Sequence, residues 1–359
     1  MRLFTIGPVQ MYQHTLDLRG RVVPYFRTQE FSEMMLETSQ LLKKLVGTAQ
    51  NSEVIYLTAS GTAAMEASVV NCIGPNDKAL VINGGTFGQR FVDICQLHNV
   101  QHDALTVEFG RTLTPDLLSP YDAKGYTVLL VNLHETSTGQ LYNIELLSDF
   151  CRRNGMTLIV DAISTFLCDP YQMDKNGIDV TILSSHKGLC LSPGLSMVVL
   201  NPKMAERLKG RNETFSLYFD YVSYLKDVAR GQTPFTPAVG VLCELNDMLK
   251  VISRIGLNKR LQEVLEKCQC FRDSIQAKGV AIPKYPLSNA LTPIVFDRDI
   301  AYDTFNYLKD EFSIFTNPTG GDFGKRVLRI AHVGDNSVED HLQLADLIAD
   351  YVAISKKIK

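Results

Sequence analysis

The stretch Thr181-Ile-Leu-Ser-Ser-His-Lys187-Gly decides how the rest of the chain is interpreted. Its apolar start is typical of a buried β-strand, and it ends in two serines, a histidine and a lysine. Upstream, Thr157-Leu-Ile-Val-Asp161 has the same form and ends in a carboxylate. A lysine or an aspartate at the end of a core strand is costly to bury unless it has an assigned partner. The two strand ends therefore predict a polar site that a specific ligand completes.

The region from residue 54 to residue 200 alternates short β-rich runs with amphipathic stretches. Strands that alternate with helices predict an α/β fold with a mostly parallel sheet, flanked by helices on both faces. Ligands of such sheets bind at the carboxyl ends of the strands, where Asp161 and Lys187 both fall. The predicted strands are Glu53–Leu57, Ala79–Ile82, Thr127–Asn132, Thr157–Asp161, Val180–Ser184 and Met197–Leu200. The predicted helices are Thr62–Cys72, Gly88–His98 and Ile144–Asn154.

The C-terminal region predicts a smaller α+β domain, because helical patterns there are mixed with β-like runs. We expect a large domain over residues 15–255 and a small domain over residues 256–359, with residues 1–14 packed near the active site. The predicted elements of this region are the helices Val239–Ile255, Asn258–Lys278, Tyr302–Glu311 and Ser337–Ile354, and the strands Thr292–Phe296 and Val327–Ala331.

Composition and charge limit the class of protein and its partners. The chain has 359 residues, of which 45% are apolar and 21% charged, as is usual for globular proteins. The net charge of -3 gives no reason to expect a nucleic-acid or membrane partner. The N-terminus lacks the apolar core of a signal peptide, and the apolar runs are too short to span a bilayer.

The eight cysteines are scattered without C-x-x-C pairs, so we expect reduced thiols in a cytoplasmic protein. Cys268 and Cys270 could offer two metal ligands, as could His98 and His102, which would share a helix face. No third ligand is evident near either pair in the sequence, and we therefore predict no metal site.

Two glycine-containing segments follow predicted strands and open predicted helices. Ser60-Gly61-Thr62 could bind an anion through backbone amides, two hydroxyls and the helix dipole. Taken alone, an ordinary helix N-cap at Ser60 is the simpler interpretation. In Asn83–Arg90, the aromatic ring of Phe87 could stack on a planar ligand, although by itself it would be interpreted as a core residue.

Two further segments could complete a pocket wall. His134-Glu-Thr-Ser-Thr138-Gly139 places hydroxyls at the end of a strand, where a plain turn is the equal alternative. Arg329 lies inside the apolar strand Val327–Ala331, and its planar fork suits a carboxylate or a phosphonate. Simple alternation would instead direct this arginine to solvent.

One ligand would satisfy both Lys187 and Asp161. Pyridoxal 5'-phosphate has an aldehyde that forms a Schiff base with a lysine, and a ring nitrogen that needs a carboxylate. The order and spacing of the other segments suit the phosphate, the ring face and a substrate carboxylate. The sequence therefore predicts a pyridoxal-phosphate site.

With these residues in place, the chain resembles class V aminotransferases, which are pyridoxal-phosphate enzymes of fold type I. It is most similar to the group of 2-aminoethylphosphonate–pyruvate, alanine–glyoxylate and serine–pyruvate aminotransferases. The resemblance covers essentially the whole chain. The segments that carry it are Gly7-Pro8, Arg27–Phe31, Ser60–Thr62, Asn83–Arg90, His134–Gly139, Asp161-Ala162, Ser184–Lys187, Phe235–Pro237 and Arg329–Ala331.

The resemblance implies a role for each matching residue. Lys187 would form the Schiff base, and Asp161 would hold the pyridine nitrogen. The residues that would contact the cofactor are Ser60, Gly61, Thr62, Phe87, Thr138, Asp161, Ser184, His186 and Lys187. Arg329 would bind the substrate carboxylate with Gly7 nearby, and Thr236 would reach the cofactor phosphate of a neighbouring subunit. The resemblance thus implies a homodimer with shared active sites.

The implied activity is ping-pong transfer of an amino group from alanine, serine or 2-aminoethylphosphonate to pyruvate or glyoxylate. Asn83–Arg90 and His134–Gly139 resemble the phosphonate branch, whereas Lys187–Leu195 is closer to the alanine and serine branch, so the donor stays open. The alternative is a lyase, desulfurase or decarboxylase on the same cofactor. Against a desulfurase, Cys243, Cys268 and Cys270 fall in helical patterns with apolar neighbours rather than on a mobile loop. A scaffold without enzyme activity would be expected to lack Lys187 or Asp161.

Overall fold

The structure is a computed structural model that describes residues 1–211, 216–321 and 323–356. Twelve α-helices and fourteen β-strands are assigned within these ranges. The helices are α1 Gln13–Arg19, α2 Gln29–Val46, α3 Gly61–Cys72, α4 Thr86–Leu97, α5 Pro115–Leu118, α6 Ile144–Asn154, α7 Pro202–Lys209, α8 Tyr221–Val228, α9 Val239–Ile255, α10 Leu257–Ala277, α11 Ala301–Phe312 and α12 Val338–Ser355.

The strands form one large sheet and three small ones within the described residues. They are β1 Arg2–Leu3, β2 Glu53–Leu57, β3 Lys78–Asn83, β4 Gln101–Thr106, β5 Val128–Asn132, β6 His134–Glu135, β7 Gln140–Leu141, β8 Thr157–Asp161, β9 Val180–Ser184, β10 Ser196–Leu200, β11 Leu291–Val295, β12 Ile314–Phe315, β13 Asn317–Pro318 and β14 Val327–Ala331.

The large sheet has seven strands in the order β2-β10-β9-β8-β5-β3-β4. Its strands pair in parallel except for β10, which runs antiparallel to both β2 and β9. The prediction of an α/β fold with a mostly parallel sheet is therefore confirmed. Because β5, β8 and β9 are adjacent and parallel, their carboxyl ends lie at one edge of the sheet, as the sequence predicted.

Both faces of this sheet are covered, because side chains alternate along each strand. On β3, Leu80 and Ile82 belong to the apolar cluster that includes residues of α2, α6 and α9. Ala79 and Val81 belong to the opposite cluster, which includes residues of α3, α4, α7 and α8. Burial on both faces explains why these strands are continuous apolar runs rather than alternating ones.

The edge strand β4 was not predicted, and one interpretation that touches it was wrong. Its residues are mostly exposed or half-buried, so it lacks the apolar run of an inner strand. His98 and His102 do not share a helix face, since His98 follows the end of α4 and His102 lies on β4. Among the described residues, no group of three or more His, Cys, Asp or Glu side chains is arranged to hold a metal ion.

The C-terminal part packs α10, α11 and α12 around the three-stranded sheet β11-β14-β13. Strand β1 also belongs to this part of the structure, because it pairs in parallel with β12 in a separate two-stranded sheet. The chain turns at Gly256, with φ +90°, between α9 and α10. The proposed domain boundary at residues 255 and 256 stays a prediction. In the described part of the chain, we find no helix with the length and apolar character that crossing a membrane requires.

Two glycines with left-handed backbones allow a stability test. A Cβ at Gly231, where φ is +70°, would lie 2.2 Å from the backbone oxygen of Ser32 on α2. A Cβ at Gly125, where φ is +76°, would have nothing within 4 Å. We expect Gly125→Ala to lower the free energy of unfolding by about 1–2 kcal/mol through backbone strain. Gly231→Ala should cost about 1–3 kcal/mol more, because the new methyl overpacks its site. Urea unfolding measures both, and equal losses would contradict the close packing at Gly231.

Candidate active site

A cavity of about 250 Å³ lies at the carboxyl edge of the large sheet. Asp161 ends β8, and Lys187 follows the end of β9 by three residues. The cavity thus brings together the two residues on which the sequence prediction rested. Its lining consists of Ser60, Gly61, Thr62, Met65, Phe87, Arg90, His134, Thr136, Asp161, Ile163, Ser164, His186 and Lys187.

The carboxylate of Asp161 is buried and held from two sides. It accepts hydrogen bonds from the side-chain amide of Asn132 and, at 2.8 Å, from the backbone N–H of Ile163. Asn132 lies directly opposite Asp161 in the pairing of β5 with β8. Burial raises the pKa of Asp161 to about 6, and these hydrogen bonds limit the rise. The side chain therefore has a fixed orientation and is ionised at neutral pH.

Lys187 is likewise buried, with 9% of its surface exposed. Burial lowers the pKa of Lys187 to about 8; the charge of Asp161 opposes this change, and Arg329 adds to it. Gly7 packs against the lysine, because a Cβ there would lie 2.9 Å from Cε and 3.1 Å from Nζ. The N-terminal segment thus lies against one side of the site at Gly7.

The N-terminus of α3 forms a small cup at the cavity. Ser60 occupies the N-cap position, but its side chain makes no capping hydrogen bond. The simple N-cap interpretation therefore does not account for this hydroxyl. A Cβ at Gly61 would lie 2.3 Å from Cδ1 of Ile163, so the absence of a side chain leaves room for this neighbour. Free N–H groups at a helix start suit an anion such as a phosphate.

Phe87 and Arg90, one turn apart on α4, line the same cavity. The ring centroid of Phe87 lies 5.9 Å from Nζ of Lys187 and 4.8 Å from the guanidinium carbon of Arg90. Arg90 also donates a hydrogen bond of 2.9 Å to Oγ1 of Thr62. It therefore connects the aromatic wall, formed by the ring of Phe87, to the anion cup, formed by Ser60, Gly61 and Thr62. The sequence prediction did not assign Arg90, although the three-residue spacing from Phe87 on a helix could have indicated it.

Two histidines of the cavity are uncharged at neutral pH. Burial lowers the pKa of His134 to about 3 and that of His186 to about 4. His186 forms a 3.0 Å hydrogen bond with Ser184, which is not itself part of the cavity lining. His134 faces the backbone oxygen of Ser164 through Nδ1 at 3.3 Å. Neutral imidazoles do not compete with Lys187 for the charge of Asp161.

The segment after β5 contributes differently from the sequence prediction. Thr136 lines the cavity, whereas Thr138 does not. The Thr138 hydroxyl donates to the backbone oxygen of Glu135 at 3.3 Å, and its own carbonyl accepts from the hydroxyl of Tyr285 at 2.6 Å. Thr138 therefore stabilises the turn rather than the pocket wall. The two threonines are indistinguishable from their sequence positions alone.

Arg329 is directed inward and not to solvent. Its guanidinium donates to the backbone oxygens of Thr136 and Pro318, each at 3.0 Å. Burial lowers its pKa, and the charge of Glu135 opposes this change. The cavity lining includes Thr136 but not Arg329 itself. Thr236 is exposed on the loop before α9 and lies outside this cavity.

The chain belongs to the class V aminotransferase family. The sequence model of that family, Aminotransferase class-V, matches residues 10–320. A seven-stranded sheet with a lysine and an aspartate at the ends of adjacent strands agrees with this membership. The chain is thus an aminotransferase with the fold of pyridoxal-phosphate-dependent enzymes of this class.

Individual relatives carry several names. The 42 kDa subunit of a soluble hydrogenase from Anabaena cylindrica is 30% identical over 353 residues, which is 95% of this chain and 90% of that protein. An L-aspartate–glyoxylate aminotransferase from Paracoccus denitrificans is 26% identical, over 96% of this chain and 89% of that protein. An aspartate aminotransferase of subgroup IV from Thermus thermophilus superposes with a TM-score of 0.90 at 26% identity, covering 98% of this chain and 100% of that one.

The electrostatics of Lys187 can be tested in the apoprotein. Labelling by an amine-reactive reagent should reach half its maximal rate near pH 8, where the pKa of Lys187 lies. Asp161→Asn removes the charge that raises this pKa and should shift the midpoint to lower pH. Arg329→Met removes a charge that lowers it and should shift the midpoint to higher pH.

Peptide mass spectrometry follows the labelled lysine, and Lys187→Arg identifies its signal by removing it. Midpoints that move in the same direction in both variants would contradict the arrangement of charges around Lys187.

Proposed function

We propose that the chain transfers amino groups from a small amino donor to a small 2-oxo acid with pyridoxal 5'-phosphate, by a ping-pong mechanism. The observation that carries the proposal is the pairing of a buried Lys187 with a buried Asp161 at one cavity. An amine whose pKa is about 8 is a nucleophile near neutral pH. A carboxylate fixed by two hydrogen bonds suits a protonated ring nitrogen.

The residues around the cavity fit this cofactor. The cup of Ser60, Gly61 and Thr62 suits the phosphate, and the ring of Phe87 suits one face of the pyridine. His186 and Ser184 would lie near the phosphate as a hydrogen-bonded pair. When bound, pyridoxal phosphate supplies an aldehyde that condenses with amines and a ring that accepts the electron pair of a carbanion.

Lys187 would act as both the attachment point and the proton carrier. Once an amino donor has replaced it, its Nζ would take the proton from the donor carbon as a general base and would then give a proton back as a general acid. The lowered pKa of Lys187 allows both directions near neutral pH. Asp161, which is ionised above about pH 6, would keep a proton on the ring nitrogen.

Arg329 would bind the substrate carboxylate. Its two carbonyl contacts, to Thr136 and Pro318, fix the plane of the guanidinium before a substrate arrives. Its Nε is buried without a hydrogen-bond partner among the described residues. A carboxylate would satisfy this group through a bidentate contact. Gly7, which packs against Lys187, would border the donor at this side of the site.

The relatives support glyoxylate as an acceptor, since one of them is named an L-aspartate–glyoxylate aminotransferase. Pyruvate remains the second proposed acceptor, and alanine, serine and 2-aminoethylphosphonate remain the proposed donors. A cysteine desulfurase is less well supported, because Cys243, Cys268 and Cys270 all lie within α9 or α10. The eight described cysteines are free, in keeping with a proposed cytoplasmic location.

The proposal is tested by half-reactions of the holoenzyme. Alanine, serine and 2-aminoethylphosphonate are added separately, and the visible absorbance of bound cofactor should fall with at least one of them. Addition of glyoxylate or pyruvate should restore the absorbance. Lys187→Ala should abolish both responses while the fold is retained by circular dichroism. Turnover that needs no 2-oxo acid would instead favour a lyase or decarboxylase.

A substitution at Arg329 tests the substrate carboxylate site. Hydrogen bonds to charged groups contribute about 1.5–3 kcal/mol, so Arg329→Met should raise the KM for the 2-oxo acid roughly ten- to a hundredfold. Steady-state kinetics with varied 2-oxo acid measures this change. Arg326→Met is the matched control, because Arg326 forms an ion pair with Asp299 on an exposed surface. An unchanged KM for Arg329→Met would refute the assignment.

We also propose a homodimer in which Thr236 reaches the phosphate bound by the neighbouring subunit. Exposed apolar side chains support an interface near the N-terminus: Leu16, Val22, Val23 and Tyr25. Val22 is 96% exposed. Val23 lies near Gly240, which is the second residue of α9 and follows the loop that contains Thr236. This contact supports an interface that includes both the apolar segment and the loop of Thr236.

Light scattering should show a dimer, and Val22→Asp with Val23→Asp should weaken it because charges are costly to bury in an interface. If Thr236 completes the partner's site, the same double variant should lose affinity for pyridoxal phosphate. A monomer that retains full cofactor affinity would exclude a shared site.

A further inference from the structure

The hairpin His134–Leu141, which contains β6 and β7, contacts the start of α4 on one side and Arg329 of β14 on the other. Its acidic residue, Glu135, has no role in the chemistry proposed above. Glu135 is 1% exposed. Its Oε2 accepts hydrogen bonds from the backbone N–H groups of Phe87 at 3.2 Å and Gly88 at 2.9 Å. Its Oε1 accepts from the backbone N–H of Ser137 at 3.1 Å and from the Ser137 hydroxyl at 2.5 Å. Both oxygens of this buried carboxylate are therefore satisfied.

Glu135 caps α4 from outside the helix. Phe87 and Gly88 are the second and third residues of α4, whose N–H groups have no partner within the helix. A negative charge is also favourable at this end of a helix. The N-cap residue, Gly85, has no side chain to do this, and a Cβ there would lie 2.8 Å from Cδ of Glu135. The glycine thus makes room for the carboxylate that fixes the backbone of Phe87.

The same hairpin holds the C-terminal part of the chain. The carbonyl of Thr136, the next residue, accepts the Arg329 hydrogen bond of 3.0 Å. The Thr138 carbonyl accepts from Tyr285, and the Gly139 carbonyl accepts from the backbone N–H of Ser288 at 3.1 Å. Adjacent residues, Glu135 and Thr136, therefore contact the aromatic wall on one side and the guanidinium on the other.

We propose that Glu135 is a positioning residue. It fixes the position of the Phe87 ring and, through Thr136, that of the Arg329 guanidinium, and so holds the two groups at a constant distance from each other. The inference rests on the function proposed above, in which these two side chains contact the cofactor and the substrate carboxylate. One hairpin then determines the distance between the ring face and the carboxylate. Loss of the Glu135 charge disturbs both contacts, whereas loss of either contact alone leaves the other in place.

The test is Glu135→Gln in the full-length chain. Glutamine has one acceptor oxygen in place of two. Its NH2 group must therefore face either the N–H groups of α4 or the N–H and hydroxyl of Ser137, which are donors as well. We expect the Kd of pyridoxal phosphate and the KM of the 2-oxo acid to rise roughly tenfold each, as a lost charged hydrogen bond implies. The visible circular dichroism of the bound cofactor should change as well, because the ring of Phe87 moves.

Single-contact variants separate positioning from a general loss of stability. Phe87→Leu should change the Kd and the circular dichroism but not the KM, and Arg329→Met should change only the KM. Glu145→Gln, on an exposed turn of α6, is the matched control for the change of charge. Ile348→Val, in the core on α12, is the control for lowered stability. If Glu135→Gln shifts stability alone, as Ile348→Val should, the proposal is overturned.

Amide hydrogen exchange of the apoprotein gives an outcome that does not depend on the cofactor. Peptides over residues 84–92 and 327–331 should both exchange faster in Glu135→Gln than in the unmodified chain. Ser137→Ala, which removes one donor to Oε1, should produce smaller changes in the same two peptides and serves if the first variant does not fold. Failure of the unmodified chain to bind pyridoxal phosphate would refute the proposed function, whereas unchanged exchange in both peptides would refute the role of Glu135.

Discussion

Two opposite charges buried at the ends of adjacent strands constrain the rest of the structure. Asp161 and Lys187 are brought to one edge of the sheet because β8 and β9 are parallel neighbours. Burial raises the pKa of the aspartate to about 6 and lowers that of the lysine to about 8. The charge of each group opposes the pKa shift that burial causes in the other, so each makes the other less costly to bury. The cavity, the cup at α3 and the wall at α4 surround this pair.

Further buried groups hold the loop that follows the lysine. Glu244 on α9 accepts hydrogen bonds from the backbone N–H of Ser192 at 2.8 Å and from its hydroxyl at 2.9 Å. Arg260 on α10 donates to the carbonyl of Gly188 at 3.2 Å. The loop is thus fixed from both helices on either side of Gly256. Rigid support of this kind determines where a reactive amine points, which residue identity alone does not.

The sequence was most informative where burial is two-sided and least informative where contacts are tertiary. The strands β8 and β9 were predicted with the bounds observed, because their side chains are apolar on both faces. The edge strand β4 was missed, since most of its side chains face water. Lys187 and Asp161 were recognisable as unusual charges at strand ends, and the cavity brings them together. Arg90 and the capping by Glu135 were not predicted, because each depends on a contact between distant segments.

The pairing of β1 with β12 has a consequence for how the protein is made. Arg2 lies beside Ile314, and Gly7 of the same segment closes the site against Lys187. Residues 2 and 3 therefore cannot reach their native neighbours until the chain has been synthesised as far as Phe315. A nascent chain thus carries an unfinished pocket until β12 has been synthesised, and truncation before β12 leaves β1 without the strand that anchors it.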